Sequence, residues 1–326
     1  NSRISLSNND SGTSNTIFGH SAGASLDAGS NYNTFIGHQV SDATMNDATY
    51  NTAVGYQALS AMTTPADYNT AIGAKALTSF TTGDGYNNAL GYQAGKSLET
   101  GWGNVFLGVN AGETTVLADK TVCIGYGSGR GVMTANADGT IAIGYLALTA
   151  LTDGIGNIAI GSEAMAAQTD GTHNIAIGNN ALDAADSGED HNIAIGTDAM
   201  GNANHANTIK NICIGAYAGD GMGTLDGNSH NIFVGYDSGG GTWTTNDCSG
   251  NIGIGTNTLD AAMNDANHNI AIGFVAGSGI TTGEYNILMG MDTGAAITTG
   301  DANIAIGATA MDALSGGYRN IAIGYG

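Results

Sequence analysis

The chain has 326 residues, 42 % of them apolar and 11 % charged, and no run of eighteen apolar residues, so it is neither a disordered polyampholyte nor a chain that inserts a helix into a membrane. Seven basic against 28 acidic residues give a formal charge of −21, spread along the chain rather than blocked. Such a surface repels nucleic acid and anionic membrane and keeps a long fibre soluble.

In chain order, residues 1–14 carry no motif and are rich in Ser and Asn, which marks an irregular lead-in. There is no initiator Met and no leader at Asn1, so a processed or excised segment is expected. From residue 15 to residue 326 one phrase recurs. Asn-Ile-Ala-Ile-Gly stands at 157–161, 174–178, 192–196, 269–273, 303–307 and 320–324, with looser versions between. Its glycine recurs from Gly19 to Gly324 in seventeen intervals of 17 to 20 residues. A short unbroken period is the signature of a solenoid, here a single repeat domain over 15–326. The 53 glycines have no every-third-residue period, which excludes collagen.

Within each period the alternation of Asn-Ile-Ala-Ile reads as a short strand with the two Ile positions on one face and the Ala position on the other. The larger Ile residues are expected inside, stacked coil on coil. Glycine then ends the strand where the chain turns tightly, and the Ala three residues later (Ala164, Ala181, Ala199, Ala218) points inward. The position four before the glycine is Asn in sixteen of eighteen motifs, with Thr121 and Thr140 the exceptions. Asn stacked on Asn can form an amide ladder. The structural ladder is therefore assigned to Asn157, Asn174, Asn192 and Asn211, with Gly161, Gly178, Gly196 and Gly215 as the turn row. The second half of each coil holds turns such as Thr81-Thr82-Gly83-Asp84 or Ala-Leu/Met-x-Ala segments, readable as one helical turn or a second strand. The last motif ends without a polar closing segment, so continuation into a longer chain is expected.

Three cysteines read as packing residues. Cys123 and Cys213 lie five coils apart, roughly 24 Å at a strand spacing of ~4.8 Å, too far to pair. Cys248 falls in an insertion, where pairing between chains is the alternative to packing.

Two rows are aromatic, one just after the glycine, where His20, His38, Tyr56 and Tyr92 stand, and one just before the Asn. Tyr32, Tyr50, Tyr68 and Tyr86 precede the Asn in consecutive coils, and His173, His191, His230 and His268 occupy the same place later. These Tyr residues are expected to stack at corners, or else to form a glycan-contact strip. Metal ligation is not expected, because no carboxylate recurs beside the His pairs at ligand spacing. No cofactor is expected, although Ca²⁺ could bind loosely in acidic turns at Asp84, Asp138, Asp153, Asp170 and Asp220. Ice binding would need Thr in register on one strand face, and no such array is expected.

The Ala position itself never carries a polar residue in eighteen coils. A wholly apolar stripe should not face water, so it faces the opposite wall of a flattened coil or seals against other chains. On the second reading Phe35, Phe106, Ala159, Ala176, Ala194 and Phe233 are the oligomer-interface candidates, and symmetric self-association is the expected state.

The phrases Asn51-Thr52-Ala53-Val54-Gly55-Tyr56-Gln57-Ala58-Leu59 and Asn69-Thr70-Ala71-Ile72-Gly73-Ala74-Lys75-Ala76-Leu77 resemble repeats of phage tail-fibre and related surface proteins. They are also similar to the head repeats of trimeric autotransporter (YadA-like) adhesins. The resemblance covers residues 15–326. It implies an all-β, left-handed parallel β-roll assembled as a homotrimer, acting outside the cell as a virion tail fibre or cell-surface appendage. Ile143-Gly144-Tyr145-Leu146-Ala147-Leu148 also fits the hexapeptide pattern of acyltransferases, but once rather than three times per coil. No nucleophile–base pair recurs, so a non-enzymatic role is expected. The expected function is thus a structural fibre or adhesin segment that mediates attachment. The alternatives are a single-chain solenoid that polymerises end to end into an extracellular filament, and a glycan-binding module that contacts a cell-surface glycan or receptor.

Overall fold

The computed structural model describes residues 12–63, 65–223, 227–243 and 247–326; most of the irregular lead-in assigned to 1–14 lies outside these. The chain divides into two compact units, residues 1–157 and 158–326. The first carries eight three-residue strands: β1 (Thr16–Phe18), β2 (Thr34–Ile36), β3 (Thr52–Val54), β4 (Thr70–Ile72), β5 (Asn88–Leu90), β6 (Val105–Leu107), β7 (Val122–Ile124) and β8 (Ile141–Ile143). The second carries ten: β9 (Ile158–Ile160), β10 (Ile175–Ile177), β11 (Ile193–Ile195), β12 (Ile212–Ile214), β13 (Ile232–Val234), β14 (Ile252–Ile254), β15 (Ile270–Ile272), β16 (Ile287–Met289), β17 (Ile304–Ile306) and β18 (Ile321–Ile323).

Within each unit every strand pairs in parallel with the next, residue on equivalent residue: Ile175 on Ile193, Ala176 on Ala194, Ile177 on Ile195. The same register runs from β1 to β8 and from β9 to β18. The protein is a parallel β-solenoid of about eighteen residues per coil. Among the described residues its helical content is a single 3₁₀ turn, Ala135–Ala137.

The faces of the strand are the reverse of the expected ones. Each strand from β1 to β17 buries its central residue and turns its flanking residues outward: Ala159, Ala176 and Ala194 have no exposure, while Ile177 and Ile214 are 36 % and 38 % exposed. The interior is narrow, and sizes match across it. Where the strand centre is Ala, the residue four past the glycine is large, as in Ala53/Leu59, Ala142/Leu148, Ala176/Leu182 and Ala194/Met200. Where the centre is larger, that residue is small: Ser in Phe35/Ser41 and Gly in Phe106/Gly112, Cys123/Gly129, Cys213/Gly219, Phe233/Gly239 and Leu288/Gly294. A Cβ on Gly112 would lie 2.2 Å from the Phe106 ring. Two apparent exceptions, Ala89 with Gly95 and Ala271 with Gly277, are filled from the next coil, since a Cβ on Gly95 would lie 2.6 Å from Phe106 and one on Gly277 3.0 Å from Leu288. Close packing explains why the central row is apolar without exception: it is the core.

Phe35, Phe106, Ala159, Ala176, Ala194 and Phe233 therefore do not form a surface. All six have zero exposure, so their assignment to an oligomer interface is corrected to core packing against the opposite wall of the same coil. The inward Ala164, Ala181, Ala199 and Ala218 stand as expected. All three cysteines are buried, as packing residues are, and Cys248 is thereby corrected as a candidate for pairing between chains. Burial pushes the Cys123 thiol up to about 12 and the Cys248 thiol up to about 11.

The marker glycine has a clear cause. It adopts φ near +140°, and a Cβ at Gly178 would lie 2.2 Å from the carbonyl oxygen of Gly196 in the next coil. Less foreseeable are the left-handed positions filled by ordinary residues. The residue before the ladder Asn has φ between 55° and 72° in all eighteen coils, yet it is Gly only at 103, 139, 156 and 250. The second and fourth positions past the glycine are left-handed too, as at Gln57 and Leu59. The Ala-Leu/Met-x-Ala segments are thus neither helix nor strand but a left-handed turn. Such conformations persist when surrounding bonds over-determine them. Here they are tied above and below: Gln57 N donates to His38 O, and Leu59 N to Ala76 O, each at 3.0 Å.

Candidate functional site

Among the described residues, the surfaces that could meet a partner are the outward strand face, the corner rows and the acidic turns. Their geometry is set by the Asn ladder. Asn192 and Asn211 have no exposure. The Asn192 Oδ1 accepts from both the backbone N (3.0 Å) and the Nδ2 (3.1 Å) of Asn211, and the Asn192 backbone N donates to Asn174 Oδ1 at 2.9 Å. Each amide also ties the loop that leads into the next coil: Asn192 Nδ2 donates to Thr208 O at 2.7 Å, and Asn174 Nδ2 to Glu189 O. Asn157 differs, its Nδ2 donating to Gly154 O within its own coil at 3.0 Å. The ladder is a buried corner post, satisfied on both sides, and it offers nothing to a ligand.

A second row, missed in the sequence, runs two residues before the Asn. There a side chain accepts from the backbone N of the coil before it: Asp67 Oδ1 from Thr49 at 2.7 Å, Asp119 from Trp102 at 2.9 Å, Asn267 from Ser249 at 2.8 Å, Asp301 from Glu284 at 2.9 Å. The recurrence of Asp and Asn at that offset was the available signal.

The outward strand face is uncharged throughout. Its first row reads Thr16, Thr34, Thr52, Thr70, Asn88, Val105 and Val122, and then Ile without interruption from Ile141 of β8 to Ile321 of β18. Its second row is Phe, Ile, Val, Leu or Met in every coil. Contrary to expectation, four Thr do stand in register, Thr16 on Thr34 on Thr52 on Thr70, but the partner row beside them is apolar. At ~4.8 Å per coil and ~3.3 Å per residue, the face covers roughly 300–450 Å² in each unit.

The corner tyrosines stack as expected. Ring centroids of Tyr32 and Tyr50, Tyr50 and Tyr68, and Tyr68 and Tyr86 lie 5.0–5.1 Å apart, with planes within 15°. Stacking in this direction turns each ring face toward its neighbour and leaves only edges to solvent. A sugar packs on an aromatic face, so Tyr50 and Tyr68 do not make the platform that a glycan strip needs; open faces remain only where a ladder ends. Exposure follows this: 47–49 % for Tyr50 and Tyr68 inside the ladder, 53–54 % for Tyr86 and Tyr32 at its ends. His173 stacks on His191 and His268 on Tyr285, at 5.1 and 5.2 Å.

Of the acidic turns, Asp138 accepts from Asp119 N, Asp153 from Thr134 Oγ1 and Asn136 Nδ2, and Asp170 from Gly188 N, so these carboxylates tie coils together. Asp220 lies with Asp183 and Asp198 on a shallow pocket of about 200 Å³. Burial, with the Asp198 charge adding to it, pushes the Asp220 carboxyl up to about 6, and burial raises Asp183 as well. Among the described residues no three His, Cys, Asp or Glu side chains gather so as to hold a metal ion, and no helix is long and apolar enough to cross a membrane. Compared with protein-family models, with curated proteins and with solved structures, the chain matches none.

Proposed function

We propose that this chain is a non-enzymatic segment of an extracellular fibre or adhesin, a virion tail fibre or cell-surface appendage that mediates attachment, and that it works as a homotrimer. One observation carries the reading: each unit presents an uncharged sheet face, wholly apolar in the second, in a protein whose formal charge is −21. Apolar faces of this extent mark interaction surfaces. On so acidic a protein, this is the surface on which two copies approach without opposing carboxylates, and symmetric closure about a common axis covers it in every copy. The repeat phrases that resemble tail-fibre and YadA-like head repeats point the same way. Rigidity comes from the stacked backbone and Asn row, and contact with a host falls to the loops and corners.

Light scattering on the eluting protein tests it. At tens of micromolar the wild type should have the mass of three chains, and Ile177→Asp with Ile214→Asp should reduce it to one chain with an unchanged far-UV circular dichroism spectrum. A wild type that stays at one chain mass overturns the trimer. An open-ended mass distribution supports the end-to-end filament instead.

A further inference from the structure

The corner ladder has one interruption that is walled on both sides. Tyr285, Ala302 and Arg319 occupy the position before the Asn in three successive coils, all left-handed, with φ of 58°, 55° and 59°. Backbone bonds from Ala302 N to Glu284 O (2.9 Å) and from Arg319 N to Asp301 O (3.0 Å) hold the three at successive levels. One face of the Tyr285 ring stacks on His268; at the next level there is only the Ala302 methyl, and the ring is 56 % exposed. The space left is a surface cavity of about 420 Å³, lined by Glu284, Tyr285, Asp301, Ala302, Tyr318 and Arg319. That volume falls in the usual range of ~300–1,000 Å³ for ligand clefts.

The other ladder breaks differ. Above Tyr86 stands Gly103, but there Lys120 folds over the Trp102 ring at 4.5 Å and closes the corner. At Gly250 the ring of His268 crowds in, so that even a Cβ would lie 2.5 Å from it. Arg319, by contrast, makes no ion pair among the described residues, although two carboxylates line the same cavity.

We propose that this gap is a binding subsite for one pyranose ring of a glycan. Tyr285 and Arg319 are two coil rises apart, roughly 10 Å at ~4.8 Å per rise. A planar aromatic ligand sandwiched at ~3.5 Å from each wall would need only about 7 Å, whereas a puckered sugar ring with its axial hydrogens fills the larger gap. The remaining wall chemistry suits hydroxyls: Glu284 and Asp301 accept hydrogen bonds, Arg319 donates, and the open Tyr285 face takes the C–H side of the ring. The subsite would serve the attachment role proposed above, but it uses residues off the Ile face, so oligomer mass and sugar binding fail independently.

Saturation-transfer NMR on the full chain tests it, with methyl glucoside, galactoside, mannoside and N-acetylglucosaminide at 5 mM and phenol as the planar probe. At least one pyranoside should receive saturation at its ring protons. Ala302→Tyr, which completes the ladder with a residue that five other coils carry at this position, should abolish that signal while the circular dichroism stays unchanged. Tyr285→Ala should abolish it too, and Tyr68→Ala should leave it intact. No saturation of any pyranoside, equal saturation in Ala302→Tyr, or saturation of phenol alone overturns the proposal.

Discussion

The coil built on Phe106 and the coil built on Ala176 solve one packing problem in opposite ways. In the first the strand supplies the bulk and the turn supplies Gly112; in the second the strand supplies a methyl and the turn supplies Leu182. Both close the interior, and both present the same outer face. The lesson is that the repeat conserves a volume summed across the lumen rather than a residue at a site, which lets the strand centre range from Gly253 to Phe233 without change of fold.

The sharpest way to break this comparison is to unbalance one coil. Phe106→Ala should cost about 3–5 kcal/mol, the range for a buried Phe, because Gly112 leaves nothing to collapse into the cavity. Adding Gly112→Leu should return most of that loss: Gly112 already has φ +59°, close to the 54° of Leu59 at the equivalent place. Urea unfolding followed by circular dichroism would show the coupling. Additive losses in the double variant would mean that the pairing of sizes carries no energy.

The Asn row should not distinguish the two kinds of coil. Asn104 makes three side-chain hydrogen bonds, two from Nδ2 and one accepted from Thr121 N, and Asn192 also makes three, one from Nδ2 and two accepted from Asn211. Asn104→Ala and Asn192→Ala should therefore each cost about 2–4 kcal/mol, within error of one another. A clear difference in the same unfolding assay would show that the corner post feels the lumen beside it.

The loops behind Asn104 and Asn174 differ in one respect that pH can read. The residue whose carbonyl receives the amide is Ala118 behind Asn104 but Glu189 behind Asn174. Glu189 is buried, and burial pushes its carboxyl up to about 7 from an ordinary 4.5. Among the described residues the Oε1 atoms of Glu189 and of nearby Gln168 both lack partners, as a protonated carboxyl would better suit. Because the folded value is raised, its stabilising contribution is complete below about pH 4.5 and is lost as pH rises through 7. Glu189→Gln should match the wild type at pH 5 and exceed it by roughly 2 kcal/mol at pH 8, measured by thermal melts across that range. Parallel melting curves at both pH values would show that the carboxyl stays ionised in the fold.

Period, strand, turn glycine and Asn ladder were all legible in the sequence, because each depends on one residue type recurring at one offset. The orientation of the strand was not. Ile is larger than Ala, and a coil of eighteen residues looks wide enough to bury it; the narrow interior appears only when Ala176 is paired with Leu182 and Phe106 with Gly112. That pairing was written in the sequence, but as a correlation between two variable positions. The left-handed row hid for a related reason, since Tyr68, His191 and Lys210 conceal what Gly103 and Gly156 at the same offset disclose. The Ala302 gap is an absence within a row, visible only once the row is known to stack.

The smallest expected effect lies where the Asn row is broken. Thr121 still donates its backbone N to Asn104 Oδ1 at 2.8 Å and its hydroxyl to Asp119 O at 3.3 Å, whereas the hydroxyl of Thr140 is buried without a partner among the described residues. A buried unpaired hydroxyl costs about 1–3 kcal/mol relative to water, and valine has the same shape without it. Thr140→Val should therefore raise stability by about 1 kcal/mol, while Thr121→Val, which sacrifices a made bond, should lower it by a similar amount. Opposite signs for the same substitution in adjacent coils would locate the cost in the missing partner rather than in threonine itself; a loss in both would mean that the Thr140 hydroxyl is satisfied.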